Sequence, residues 1–174
     1  DALYNLATSD GISPDTQIGV GTFVPDDGKR GYVVIKSDAW GDVKSAQREK
    51  VLDLIKSSNF VGLNNTPTAT SYAESAAYLL GTTTKNTTTS SYSGIGLSGA
   101  ASGITTGSGA SMKYISPLDK ITEPKCSGKG IYFLTDGEPN GASGSAATPM
   151  QLALGRTTSI STSGGLVNTN AVYA

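Results

Sequence analysis

The residues best placed to do chemistry in this chain are an acid and a hydroxyl. Asp136 follows the apolar run Gly130-Ile131-Tyr132-Phe133-Leu134-Thr135 and precedes Gly137-Glu138-Pro139-Asn140. A run of β-formers that stops at an acid and a glycine reads as a strand buried on both faces. It delivers one carboxylate at its C-terminal end, where open α/β sheets bind ligands. Thr66 stands in Thr66-Pro67-Thr68, ahead of a helix rich in small residues. A carboxylate and a hydroxyl facing one crevice suit a hard cation such as Mg²⁺ or Ca²⁺, whose remaining positions go to other oxygens or water. Such a cation also accepts an acidic side chain from a partner. Each residue has a plainer reading too: Asp136 as a loop acid capping the next turn, and Thr66 as an ordinary helix N-cap.

Other chemistries are excluded or disfavoured. The chain has no histidine, so a Ser-His-Asp or Cys-His site within it is impossible and zinc lacks its usual ligands. The lone Cys126 makes no internal disulfide. It is a buried thiol, half of a bridge to a segment outside this sequence, or reactive, and its setting ahead of the apolar run favours the first two. Phosphoryl transfer through Asp136 lacks both a second Asp two residues on and a phosphate-binding motif, so no enzyme activity is expected. A formal net charge of -1 gives no reason to expect nucleic acid or an anionic membrane surface as partner. No apolar run approaches the roughly 20 residues of a membrane span. The charged fraction is only 16%, with Gly, Ser, Thr and Asn filling the space, which suits a secreted or surface protein. Asp1-Ala2-Leu3-Tyr4 is not a signal peptide, and for an exported protein the signal is expected upstream.

The elements that must position Thr66 and Asp136 follow from periodicity. The 174 residues suit one domain with a real core. Leu3 and Leu6 mark the last turns of a helix ended by Gly11. Gln17 to Val24 alternates as a strand with Ile18, Val20, Thr22 and Val24 on one face. Asp26-Asp27-Gly28 is a hairpin-type turn, and Tyr32 to Ile35 is the returning strand, at the sheet edge. Asp42 is the expected N-cap of an amphipathic helix from about Val43 to Lys56 whose charges form a solvated face. Pro67 suits the first position of the helix carrying Tyr72, Ala76, Ala77, Leu79 and Leu80, with Thr66 as its cap. From Gly81 to Ser111 the chain is a Thr/Ser/Gly tract, too long for an ordinary connection, and reads equally as a surface excursion or a partly disordered one. A short helix near Ala147 to Leu154 follows the Asp136 loop, and Leu166-Val167 offers a brief strand near the end.

At this point the residues resemble a family. Thr66-Pro67-Thr68 before a small-residue helix, then an apolar strand ending Thr135-Asp136-Gly137-Glu138-Pro139, is similar to the von Willebrand factor type A domain and two of the three parts of its metal-ion-dependent adhesion site. More narrowly, Tyr114-Ile115-Ser116-Pro117, Cys126 and Ile131 to Asn140 resemble the N-terminal domain of PilC-type adhesins at type IV pilus tips. The resemblance implies an α/β, Rossmann-like domain over residues 1–156, with a mostly parallel central sheet flanked by helices, a Ser/Thr/Gly-rich insertion at about 81–124, and an extension or linker at 157–174. It implies that Thr66 and Asp136 reach a Mg²⁺ or Ca²⁺ ion directly or through water, with Thr68 and Glu138 beside the ligand. The implied function is adhesion and pilus biogenesis at the bacterial surface, with a host or abiotic surface ligand, such as a protein bearing an acidic side chain, and pilin subunits as the implied partners. The alternative is a structural tip domain that binds no ligand through a metal. The family's first metal loop, Asp-x-Ser-x-Ser, is not found in the sequence; Asp10-Gly11-Ile12-Ser13 has the wrong spacing. The resemblance therefore places that loop and a first strand ahead of Asp1. It also leads us to expect a hydrophobic groove that a separate chain or an N-terminal segment fills.

Overall fold

The computed structural model describes residues 2–24, 29–57, 60, 65–86, 90–99, 103–121, 128–134 and 147–155. It is a mixed α/β arrangement. Helix α1 (Ala2–Thr8) leads to an antiparallel pair, β1 (Gln17–Phe23) and β2 (Gly31–Ala39), and then to α2 (Ala46–Lys56) and α3 (Thr68–Leu80). A short helix α4 (Ile95–Ser98), a two-residue hairpin of β3 (Thr105–Thr106) and β4 (Lys113–Tyr114), and α5 (Ala147–Ala153) complete it.

The β1–β2 hairpin forms where alternation demands it. Ile18 and Val20 turn inward between exposed Gly19 and Gly21, and pack with Ala7, Ile35, Trp40 and Val51 against α1 and α2. The turn expected at Asp26-Asp27-Gly28 lies outside the described residues. The returning strand is longer than expected, running to Ala39, and β1 carries register shifts on either side of Val20.

Helix α2 departs from the sequence reading in two ways. Its N-cap is Ser45, whose hydroxyl accepts from Arg48 N, and Asp42 lies outside the helix because Lys44 adopts a positive φ of 71° before it. Its charges are not all solvated. Arg48 is buried, its guanidinium donating to the carbonyls of Gly41, Ala7 and Ser9 and lying 5.1 Å over the Trp40 ring. A buried guanidinium persists only where its donors are met, and here backbone oxygens from the end of α1, the residue after it and the loop before α2 meet them. Gln47 works similarly, its amide donating to the carbonyls of Ile18 and Lys36 at 2.7 and 2.8 Å.

Helix α3 is the floor of the molecule. Its small residues Ala73, Ala76 and Ala77 are buried, so neighbours approach closely, and Gly81 closes it in the left-handed conformation (φ 68°). The Thr/Ser/Gly tract after it is folded onto α3 and β2. Ile95, Ile104 and Tyr114 bury their side chains with Val33, Ala76, Ala77 and Ala153 in a second apolar cluster. Gly94 enters α4 so close to β2 that a Cβ there would stand 1.9 Å from the Gly31 carbonyl oxygen. The tract and α3 together seal the outer edge of β2: Val33 N donates to Ser98 Oγ of the tract at 2.8 Å and Ser37 N to Tyr78 OH of α3 at 2.7 Å.

The apolar run before Asp136 does not form the expected doubly buried strand. Residues 130–134 pair with no strand among the described residues, and both sheets described are two-stranded and antiparallel. The run alternates: Ile131 and Phe133 are partly buried, whereas Tyr132 is 87% and Leu134 54% exposed. Ile131 packs on the second cluster, and the Phe133 ring lies 5.9 Å from that of Tyr72. One face is therefore bound to α3, and the other has no partner among the described residues. A mostly parallel central sheet is not formed by these elements. Residues 157–174, with Leu166 and Val167, lie outside the described residues, as does the Cys126 position.

Candidate functional site

Thr66 sits in the loop entering α3 and is 8% exposed. It is not the helix cap the sequence suggested. Pro67 occupies the N-cap position with no side-chain cap bond, the helix begins at Thr68, and the Thr66 carbonyl accepts from Thr68 N at 2.8 Å. Thr68 is half-buried, its hydroxyl 3.5 Å from the same carbonyl. The first turn is tied down by Thr70, whose hydroxyl donates to the carbonyls of Lys29 (2.7 Å) and Pro67 (3.0 Å). The Thr66 loop is therefore held by the hairpin end as well as by its own helix.

Asp136, Glu138 and Cys126 lie outside the described residues, so the pairing of Thr66 with Asp136 is neither made nor refused by the geometry. What is described is the approach. Ile131 packs on the cluster containing Ala76 and Ala77, and Phe133 on Tyr72, so the chain runs along α3 toward its N-terminal end. Thr66 stands at that end. Among the described residues no group of three or more His, Cys, Asp or Glu side chains is arranged to hold a metal.

Beside this approach lies a groove of about 530 Å³, within the range of ligand-binding clefts. Strand β1 forms one wall and residues 130–134 the other. Ser71, Glu74 and Ser75 of α3 border it from below, and Leu3, Leu6 and Phe60 close it at the margins. Ser71 is 5% exposed and its Oγ has no hydrogen-bond partner among the described residues.

Sequence reasoning passed over Glu74. It is 1% exposed and organises a polar cluster joining α3 to the tract that follows. Its Oε2 accepts from Thr84 Oγ1 (2.6 Å) and Gly94 N (2.9 Å), and its Oε1 from Tyr114 OH. Thr84 and Ser93 share a further hydrogen bond of 2.6 Å, and Tyr114 OH meets Ser98 Oγ at 2.9 Å. Burial pushes the Glu74 carboxyl up to about 7 against the opposing pull of these donors and of the Arg30 charge. Burial and the neighbouring Glu74 likewise hold the Tyr114 phenol well above its ordinary value. A perturbed carboxyl beside a cleft is a familiar sign of catalysis. Here its oxygens are taken by three protein donors, which makes it a fastening between elements rather than a base awaiting substrate. The signal was present in the sequence: Glu74 is the only charged residue between Thr66 and Thr84.

No protein-family model, no curated protein and no solved structure matches this chain.

Proposed function

We propose that this chain is a binding module, the von Willebrand A-like part of a type IV pilus tip adhesin, acting in surface attachment and pilus biogenesis outside the cell. The observation that supports the reading is the packing of Ile131 on the cluster containing Ala76 and Ala77 and of Phe133 on Tyr72, which lays the run preceding Asp136 in the sequence against the helix that follows Thr66-Pro67-Thr68. The parallel sheet of that family belongs to the proposal as well. It requires a strand between β1 and 130–134, the position of the groove, and a separate chain can supply it.

In this reading Thr66 and Asp136 hold a Mg²⁺ or Ca²⁺ ion. Thr66 suits the role because it stands in the loop entering α3, and a hydroxyl with a carboxylate is a hard-oxygen donor set. The ion supplies an open coordination position that captures an acidic group of a surface ligand. Thr68 and Glu138 flank it and set which ligands fit. Two donors hold a divalent ion weakly, so millimolar rather than micromolar cation binding is expected of these 174 residues.

Calorimetric or NMR titration with Mg²⁺, Mn²⁺ and Ca²⁺ tests the proposal. Binding that is lost in both Thr66→Ala and Asp136→Ala supports it. Binding unchanged by Asp136→Ala, or none at all, removes the cation and leaves the structural tip domain as the reading.

A further inference from the structure

The hairpin has one sealed edge and one open edge, and the open one faces a slot shaped for extended chain. The β2 edge is closed by the hydroxyls of Ser98 and Tyr78 and by the close approach of Gly94. The β1 edge pairs with no strand beyond β2 among the described residues. Across the groove, residues 130–134 alternate in and out like a strand and pair with none. An unpaired strand edge presents a row of backbone donors and acceptors, and the ligand that complements it is another backbone in extended conformation.

We infer that the groove between β1 and residues 130–134 binds an uncharged, extended apolar peptide segment of a partner protein, which pairs with the free edge of β1. The chemistry of the walls sets the occupant. Among the described residues no lysine, arginine or aspartate lines the groove, and the one acid there, Glu74, is engaged by Thr84, Gly94 and Tyr114. A charged occupant would lose its hydration without gaining a counter-charge. Ile18, Val20 and Phe23 on one side, with Ile131 and Phe133 on the other, instead reward apolar side chains at alternate positions. Below, Ser71 and Ser75 are small enough to let such a chain lie directly on α3. The rim is accessible, since Tyr132 and Leu134 are exposed. This inference rests on the groove alone and does not depend on cation binding at Thr66.

The test uses the whole chain and a synthetic peptide of alternating valine and threonine, about nine residues long, with a terminal lysine pair for solubility. Backbone amide exchange and NMR titration are followed at residues 17–23. Saturable binding with slowed exchange in β1, weakened at least tenfold by Tyr132→Glu and by Leu134→Glu, is the expected result. Both positions are exposed, so the variants retain the fold. No binding at millimolar peptide, or binding indifferent to both variants, overturns the inference. So does protection of β1 without peptide, which means the chain fills its own groove. A concentration-dependent dimer that either variant disperses overturns it in favour of a second copy.

Discussion

Replacing Glu74 by glutamine tests the central polar cluster most directly, because it removes a titration while keeping shape. The carboxyl's pKa stands at about 7 in the folded chain against an ordinary 4.5, chiefly because burial disfavours the charged form. The folded state therefore keeps a proton that the unfolded state has released whenever the pH lies between those values. Stability is greatest below about 4.5, declines as pH rises through the window, and levels off above about 7. At roughly 1.4 kcal/mol per pH unit, the decline attributable to this one group is about 3 kcal/mol. Glutamine has no proton to lose. Its carbonyl can accept from Thr84 and Gly94, and its amide can donate to Tyr114, which passes its own proton to Ser98. Urea denaturation at several pH values from 4.5 to 7.5 reads the difference. The wild-type protein should lose about 3 kcal/mol relative to Glu74→Gln across that range, other carboxylates contributing equally to both. Parallel curves, agreeing within about 0.5 kcal/mol at each pH, would refute the assignment of a buried, proton-holding Glu74.

Two further substitutions probe the frame. Gly94→Ala places a methyl against the Gly31 carbonyl and should cost about 3 kcal/mol or more, read as lowered urea midpoint and faster amide exchange in α4 and at Val33. Arg48→Ala leaves the carbonyls of Ala7, Ser9 and Gly41 without their shared donor and uncovers Trp40, with an expected loss of about 3–4 kcal/mol and early exchange of α1 amides. An Arg48→Lys variant should recover little of that, because a single ammonium cannot reproduce the planar fork.

What could be read from sequence, and what could not, divides by the range of the forces involved. The β1–β2 hairpin and the helices at 46–56, 68–80 and 147–153 follow from alternation and helical periodicity within a dozen residues. The start of α2 was misplaced because Asp42 and Ser45 are both good caps, and only the positive φ at Lys44 decides between them. Thr66 was misread as a cap for the same reason: local chemistry allows it, and Pro67 takes the position instead. The burial of Arg48 depends on carbonyls from residues 7, 9 and 41, and that of Glu74 on donors at 84, 94 and 114, contacts no local pattern encodes. The Thr/Ser/Gly tract looked unanchored because its anchors are hydroxyls bonded across the chain, whereas hydropathy registers only apolar residues. The run Gly130 to Leu134 was over-read as doubly buried, since an unbroken apolar run and a half-exposed strand beside a groove share one composition.

The return of the chain at Tyr114 to the helix end it left has a consequence for variation. Tyr114 N donates to the Thr82 carbonyl at 2.8 Å, and Ser116 Oγ to that of Leu79 at 2.6 Å, so the tract begins and ends at one spot. Lengthening or shortening such a closed excursion changes its closure entropy by only about 0.6 kcal/mol per doubling, and leaves the path from α3 onward unmoved. The exposed face it presents is thus free to diverge in length and composition, provided that Ile95, Ile104 and Ser98 keep their places on the apolar cluster and the β2 edge. Whatever replaces it must still bring donors to Glu74, or else the acid itself must change in the same step. Sequences related to this one should therefore show an apolar or amide residue in place of Glu74 wherever the excursion has been rebuilt.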